Sequence, residues 1–461
     1  MPSKCSRRAF LGGVAATLVS LDARAEPPAA GRETKGLETR GLTTLEARKG
    51  TARLLPEPAH ATEIWGFGAK TPGPLLRLAQ GEELAVGLVN GLDKPLSLHW
   101  HGMRGDNAMD GVAPLTQAEV APGGRFDYRR KALDAGLFCY RPSVFGTTPE
   151  LCGRGLKGLL VVDEPKPLDA DADLLLVLDD WRLAKDGVIE GDFAAPAAAA
   201  GAGRIGTLVA VDGAPAPARR DFAPGARIRL RFANLANARI MFVGFENIQP
   251  FVVAVDSQPC DAFEPVRRTI PAAPGARFEV LFDLPQAENA SAKLVLRGID
   301  EPDRDLAIFT TRGAKARARP AIAALPQNPL LPTEIKLQAA KKVDLILEPP
   351  ASPGAGWRIN GAASKAYGGP PLFQVKRGSP VTLGFVNRAE VAVVMHVHGH
   401  CVRLLHDLDD GWEPYWRNGV VVPPGKTKHV AFVADSPGKW AVHDDILEHE
   451  AAGLAAWFEV K

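Results

Sequence analysis

The chain has 461 residues, with 55 Lys and Arg against 53 Asp and Glu, a formal net charge of +2. So even a balance gives no electrostatic case for nucleic acid or an anionic membrane surface as partner. The five cysteines are spaced in a way that fits no zinc ribbon.

The chain opens on an address. Ser6-Arg7-Arg8-Ala9-Phe10-Leu11 has the form of a twin-arginine export motif, an apolar run extends from Ala9 to Leu21, and Ala23-Arg24-Ala25 is a small-x-small cleavage site. The run is too short to span a bilayer well. Residues 1–25 are therefore expected to be a signal peptide that sends the folded protein to the periplasm, and nothing later reads as a transmembrane segment. They carry Lys4, Arg7, Arg8 and Arg24 against Asp22, so their removal brings the net charge to −1. Cys139, Cys152, Cys260 and Cys401 remain in a compartment that permits disulfides. Cys139 and Cys152 flank one loop; pairing and two buried thiols both stay open at this point.

Residues 26–50 read as a flexible leader. An internal repeat follows. Gly81 to Asn90, Gly225 to Asn234 and Gly378 to Asn387 are equally long, apolar on alternate residues, and end in Asn. Each is followed at a similar distance by a second strand opening on Pro-Gly, at Pro122-Gly123, Pro274-Gly275 and Pro424-Gly425. Paired strands with one apolar face, repeated three times, predict an all-β chain of three β-sandwich domains. The expected bounds are 51–165, 166–325 and 326–461, with linkers near Glu164-Pro165-Lys166-Pro167 and in the Ala/Pro-rich stretch from Ala314 to Pro332. Ala194 to Gly203 is low in complexity and is expected to be a surface loop of the second domain.

The chemistry concentrates in two His-x-His pairs and one later stretch. The pairs are His99-Trp100-His101-Gly102 and His396-Val397-His398-Gly399-His400; the stretch runs from Trp440 through His443-Asp444-Asp445 to His449 and Gly453-Leu454. Strand side chains alternate, so each pair can point to one face, and His443 can share a face with Asp445 while Asp444 faces the other way. Two such pairs facing each other form a cage of imidazoles suited to copper or zinc. The carboxylates beside His443 and His449 would suit acid–base hydrolysis, but no exposed nucleophile accompanies them. Methionine is scarce, which excludes a Met-rich cuprous loop.

These motifs resemble those of the multicopper oxidases, over nearly all of the chain expected after export. The resemblance implies three cupredoxin-like Greek-key domains, copper as cofactor, and five remnant trinuclear ligands at His99, His101, His396, His398 and His443, with His449 as a remnant of the mononuclear site. It also marks departures. Val393, Asp444 and Leu454 stand where the family places the other mononuclear ligands, Asp444 replacing the thiolate. Arg141, Ser143 and Asp445 stand where it places three trinuclear His. The family wiring would put His101, Arg141 and Asp445 around one type 3 copper, and Ser143, His398 and His443 around the other. His99 and His396 remain for the type 2 copper. A guanidinium cannot bind a metal, and a carboxylate is a poor substitute for a thiolate as an electron bridge.

Three readings follow. One is a laccase-like copper oxidase coupling substrate oxidation to dioxygen reduction. A second is a binding protein holding a single copper or zinc ion at His99 and His396, with His398 and His443 close by. The third is a metal-free scaffold with a cell-envelope protein partner, by analogy with twin-arginine-exported, division-associated pseudo-oxidases. The departures weigh against the first. They also predict that Arg141 forms an ion pair with Asp445, or failing that Asp444, in place of the missing copper.

Overall fold

The computed structural model describes residues 41–461 apart from 194, 300 and 407–410, together with the backbone of Leu37–Glu38. The expected signal peptide lies outside the described residues. Of the stretch expected as a leader, Leu37–Glu38 and Thr43–Ala52 are strands. Leu45 and Ala47 are buried there while their neighbours are not, the alternation of a half-buried strand.

The described chain forms six sheets, in three pairs that follow one another along the sequence. Each pair encloses its own apolar core, built on residues such as Trp100 and Tyr128 in the first, Phe232 and Phe282 in the second, and Phe385 and Trp440 in the third. This is an all-β fold of three cupredoxin-like sandwiches.

The repeat seen in the sequence is a repeat of hydrogen bonds. Glu83–Asn90, Arg227–Asn234 and Ser379–Asn387 each run parallel to an earlier strand, Thr43–Ala52, Ala172–Trp181 and Lys341–Glu348. Each also runs antiparallel to the strand after its Pro-Gly, Arg125–Lys131, Arg277–Asp283 and Thr427–Ala434. The closing Asn is buried in all three. Its amide donates to backbone carbonyls on both sides of the loop that follows, those of Lys94 and Val120, of Arg239 and Ala272, and of Val391, Val422 and Pro423. Its carbonyl oxygen accepts from the backbone N–H two residues on, at Leu92, Ala236 and Ala389. The glycines of the Pro-Gly turns have φ of 74°, 79° and 65°, a conformation that favours residues without Cβ.

The expected surface loop at 194–203 holds a short helix, Pro196–Ala200, that packs against the helix Leu447–Ala451 of the third sandwich. Trp357 Nε1 donates to the Ala199 carbonyl at 2.6 Å, and Arg204 N to Glu448 Oε2 at 3.1 Å. A run of small residues lets the backbone approach closely enough to use its own carbonyls. Cys139, Cys152, Cys260 and Cys401 are all free and buried, so the Cys139–Cys152 pairing is not formed.

Candidate metal centre

His99–His101 is a short strand beside Gly136–Arg141, with His99 opposite Arg141 and His101 opposite Cys139. Trp100 turns into the first core against Tyr128 and Tyr140, so both imidazoles turn the other way. In the third sandwich, Val393–Val397 pairs with Gly438–Asp444 so that His396 lies opposite His443 and Met395 opposite Asp444. Met395 and Val397 enter the third core. The two outward faces meet. His99 and His398 have ring centroids 4.2 Å apart, and His101 stacks on His396 at 4.2 Å.

Hydrogen bonds to groups that can only accept identify the tautomers. His99 Nδ1 lies 2.8 Å from the Asp110 carbonyl, and His396 Nδ1 lies 2.9 Å from the Asn418 carbonyl. Each Nδ1 therefore donates, which leaves Nε2 as the ring nitrogen free to meet a ligand. Both Nε2 atoms are buried without a partner, as are both ring nitrogens of His101. Nitrogens of these three rings lie within 4.8 Å of one another. Burial, followed by the nearby charge of His396 and Arg141, holds the His101 pKa well below its ordinary value. Burial pushes that of His396 down to about 3, with Asp445 opposing. Neutral imidazoles with Nδ1 anchored and Nε2 free are the form that binds metal.

His398 and His443 lie close by: the His398 ring centroid is 4.2 Å from that of His99 and 4.6 Å from that of His396, and the His443 centroid is 5.7 Å from that of His396. His398 Nδ1 donates to Asp110 Oδ2 at 2.9 Å, and His443 Nδ1 to the Asp444 carbonyl at 2.8 Å. Their Nε2 atoms are only 2.7 Å apart, a distance that needs one hydrogen between them. Burial lowers the pKa of both rings, with Asp110 opposing at His398 and Asp445 at His443. The Nε2 atoms of these two rings face each other, while ring nitrogens of His101 lie with those of His99 and His396.

Arg141 and Asp445 do pair: Arg141 Nη2 donates to Asp445 Oδ1 at 2.5 Å, with both side chains almost fully buried. Burial alone would raise the Asp445 pKa, but the guanidinium outweighs it and holds the carboxyl below its ordinary value. Asp445 Oδ2 has no hydrogen-bond partner and stands 3.7 Å from His101 Nε2. Ser143 is buried, its carbonyl accepting from Ser97 Oγ at 2.7 Å.

Asp444 lies on the other side of its strand, among the core residues Val393 and Leu454. Its Oδ1 accepts from Val394 N and Ile446 N, each at 2.9 Å, and its Oδ2 lies 2.7 Å from His449 Nδ1. The other nitrogen of His449, Nε2, lies 2.7 Å from the Gly201 carbonyl. Both neighbours can only accept, so both ring nitrogens carry hydrogens and His449 is an imidazolium. Burial opposes that charge, but Asp444 outweighs it, and the His449 pKa stands above its ordinary value.

Multicopper oxidase family models match residues 49–167 and 334–461. The chain belongs to the multicopper oxidase family. The multicopper oxidase MmcO of Mycobacterium tuberculosis is 29% identical over 98% of this chain and 95% of its own length. Among solved structures, a multi-copper oxidase from Pseudomonas thermotolerans is 30% identical, covers 93% of this chain and 100% of its own, and superposes with a TM-score of 0.82. Lac15 from a marine microbial metagenome is 32% identical over 91% of this chain and 100% of its own, with a TM-score of 0.74.

Three residues of this member's site escaped the sequence reading. Asp110 carries the bonds that orient His99 and His398, Asn418 anchors His396, and the Gly275 turn of the second sandwich closes the cluster. Only Asp110 left a trace, as a lone charge in the otherwise apolar stretch from Ala108 to Pro114.

Proposed function

We propose that this multicopper-oxidase-fold protein does not reduce dioxygen, and that it acts in the periplasm as a non-catalytic binding protein or scaffold retaining one metal ion. The observation that carries this reading is the Asp444–His449 pair. At the mononuclear position a bridging thiolate is replaced by a carboxylate whose oxygens are all engaged. The remaining imidazole has no lone pair to give a metal. Its other nitrogen is engaged by the Gly201 carbonyl.

The trinuclear position is altered in the same sense. A full cluster does not fit side chains that include a fixed guanidinium and an imidazole pair already closed on itself. A single ion does fit. The unpartnered nitrogens of His99, His101 and His396 are converging donors of the kind that hold copper or zinc. The twin-arginine motif at Arg7-Arg8 supports export to the periplasm, and no described helix is long and apolar enough to cross a membrane.

Metal analysis of the exported protein together with its visible spectrum tests this. The expected result is one metal ion per chain, no blue absorption band, and no oxygen uptake with phenols, ferrous or cuprous ions. A blue band with copper-dependent oxygen uptake would establish the laccase-like oxidase instead.

A further inference from the structure

Both segments that join the sandwiches border one cavity. The chain leaves the first sandwich after Gly158–Asp163 and enters the second at Ala172–Trp181; it leaves the second after Arg304–Thr311 and enters the third at Lys341–Glu348. Parts of both connections, 164–169 and 324–329, line a cavity of about 470 Å³ together with residues of the first two sandwiches. That volume suits a small molecule, whose sites run to roughly 300–1,000 Å³. None of the imidazoles described above lines it. Its walls are mostly apolar and include Pro165, Pro167, Pro259, Pro326 and Pro329, which have no N–H to donate.

One part of the lining is polar. Arg229 lies between two carboxylates: its Nε and Nη2 donate to Glu279 Oε2 at 3.0 and 2.5 Å, and its Nη1 donates to Glu164 Oε1. Burial alone would raise the Glu279 pKa, but Arg229 outweighs it and holds the carboxyl below its ordinary value. Two carboxylates against one guanidinium leave a net negative charge. Gln80 is held beside them, its backbone N–H donating to the Asp163 carbonyl. Its Nε2 is spent on the Leu133 carbonyl, which leaves Oε1 to accept. Ser257 Oγ is spent on the Leu137 carbonyl, and the Asn328 amide on Asp134 and Gln258. The capacity left at this end is therefore in acceptors, since a carboxylate can take about four bonds. The other lining charges are exposed: water screens Lys166, and Asp169 is taken by Arg317 and Arg319.

We infer that this cavity is a ligand site separate from the metal centre, and that it takes an organic amine: an apolar, ring-bearing body against the prolines, with a primary ammonium at the Glu164–Arg229–Glu279 end. Charge and hydrogen-bond polarity point the same way there. An ammonium brings one positive charge and three donors to groups that hold a surplus negative charge and can only accept. A carboxylate or phosphate would meet two carboxylates and a guanidinium whose donors are already used. The apolar walls supply burial for the rest of the ligand. The inference needs no metal, so it goes beyond the single-ion reading and does not depend on it. A ligand seated there touches both connecting segments at once, and so couples its binding to the way the sandwiches are joined.

Fluorescence titration of the full chain with two naphthalene dyes tests this. Dansylcadaverine carries a primary ammonium on its tail, and dansylglycine carries a carboxylate. The unmodified protein is expected to bind one dansylcadaverine with blue-shifted emission, and dansylglycine at least about 10-fold more weakly. Glu164→Gln leaves Arg229 paired one-to-one with Glu279. It is expected to weaken dansylcadaverine binding by about 10-fold and to narrow the difference between the dyes. Ala135→Trp places a large ring against the cavity and is expected to abolish binding of both. If Ala135→Trp does not fold, Leu325→Trp on the second connecting segment takes its place. Failure of the unmodified protein to bind dansylcadaverine would overturn the inference. So would equal affinity for the two dyes, or binding that survives the tryptophan, which would put the dye elsewhere. Metal content is unaffected in every arm, so these outcomes leave the single-ion reading untouched.

Discussion

Arg141 Nη2 donates to Asp445 Oδ1 at 2.5 Å, joining the first sandwich to the third across 304 residues of sequence. Both groups are buried. Breaking one partner leaves a charge with no counter-ion, whereas removing both leaves an apolar gap. Single variants Arg141→Met and Asp445→Leu are each expected to lose about 3–5 kcal/mol, and the double variant less than the sum of the two. A double-mutant cycle by urea unfolding in the presence of chelator checks this; simple additivity would mean that the pair carries no coupling.

Asp444 resists repair. Its carboxylate accepts two backbone N–H groups and holds the His449 imidazolium. Asp444→Cys would leave those donors and that cation without partners, while Val393 and Leu454 still supply no ligand. The expected outcome is a less stable protein, by roughly 2–4 kcal/mol, that remains colourless with copper added. Absorption spectra and thermal unfolding of the variant read both effects.

His449 and His396 should separate cleanly. Nitrogen-15 shifts of the imidazoles are expected to show His449 still protonated on both nitrogens at a pH where exposed histidines have begun to lose that proton, and His396 protonated on Nδ1 alone. His396→Ala is expected to weaken metal binding, and His449→Ala to leave it unchanged while loosening the chain around Gly201, which hydrogen exchange would detect. Equal loss of metal from both substitutions would place the ion elsewhere.

Glu450 makes stability depend on pH in a defined direction. It is fully buried, and burial raises its pKa from 4.5 to about 8 although Arg141 opposes the shift. Between those values the folded chain keeps a proton that the unfolded chain releases. The contribution of this group is therefore favourable at low pH and is lost as pH rises through the window, at up to about 1.4 kcal/mol per unit. Glu450→Gln is expected to flatten that decline. The gap in urea midpoint between variant and unmodified protein should move in the variant's favour from pH 5 to pH 8; a constant gap would refute the assignment.

Sequence alone determined the three-sandwich fold, because each sandwich repeats the same local devices: an alternating strand, an Asn that caps the loop after it, and a Pro-Gly turn with positive φ. It also determined which residues turn toward the shared face, since strand alternation separates His99 and His101 from Trp100, and Asp445 from Asp444. Even the Arg141–Asp445 pair was legible, because the motif resemblance set two opposite charges at one place. What alternation could not supply was the partner of each nitrogen and oxygen. Carbonyls from Asp110, Asn418 and Gly201, distant in sequence, decide which imidazole nitrogen keeps a lone pair. Those contacts close His398 on His443, leave His101 with His99 and His396, and turn His449 into a cation. Hydrogen-bond donors and acceptors are matched within a few tenths of an ångström, and only the packing of three sandwiches against one another sets distances that finely.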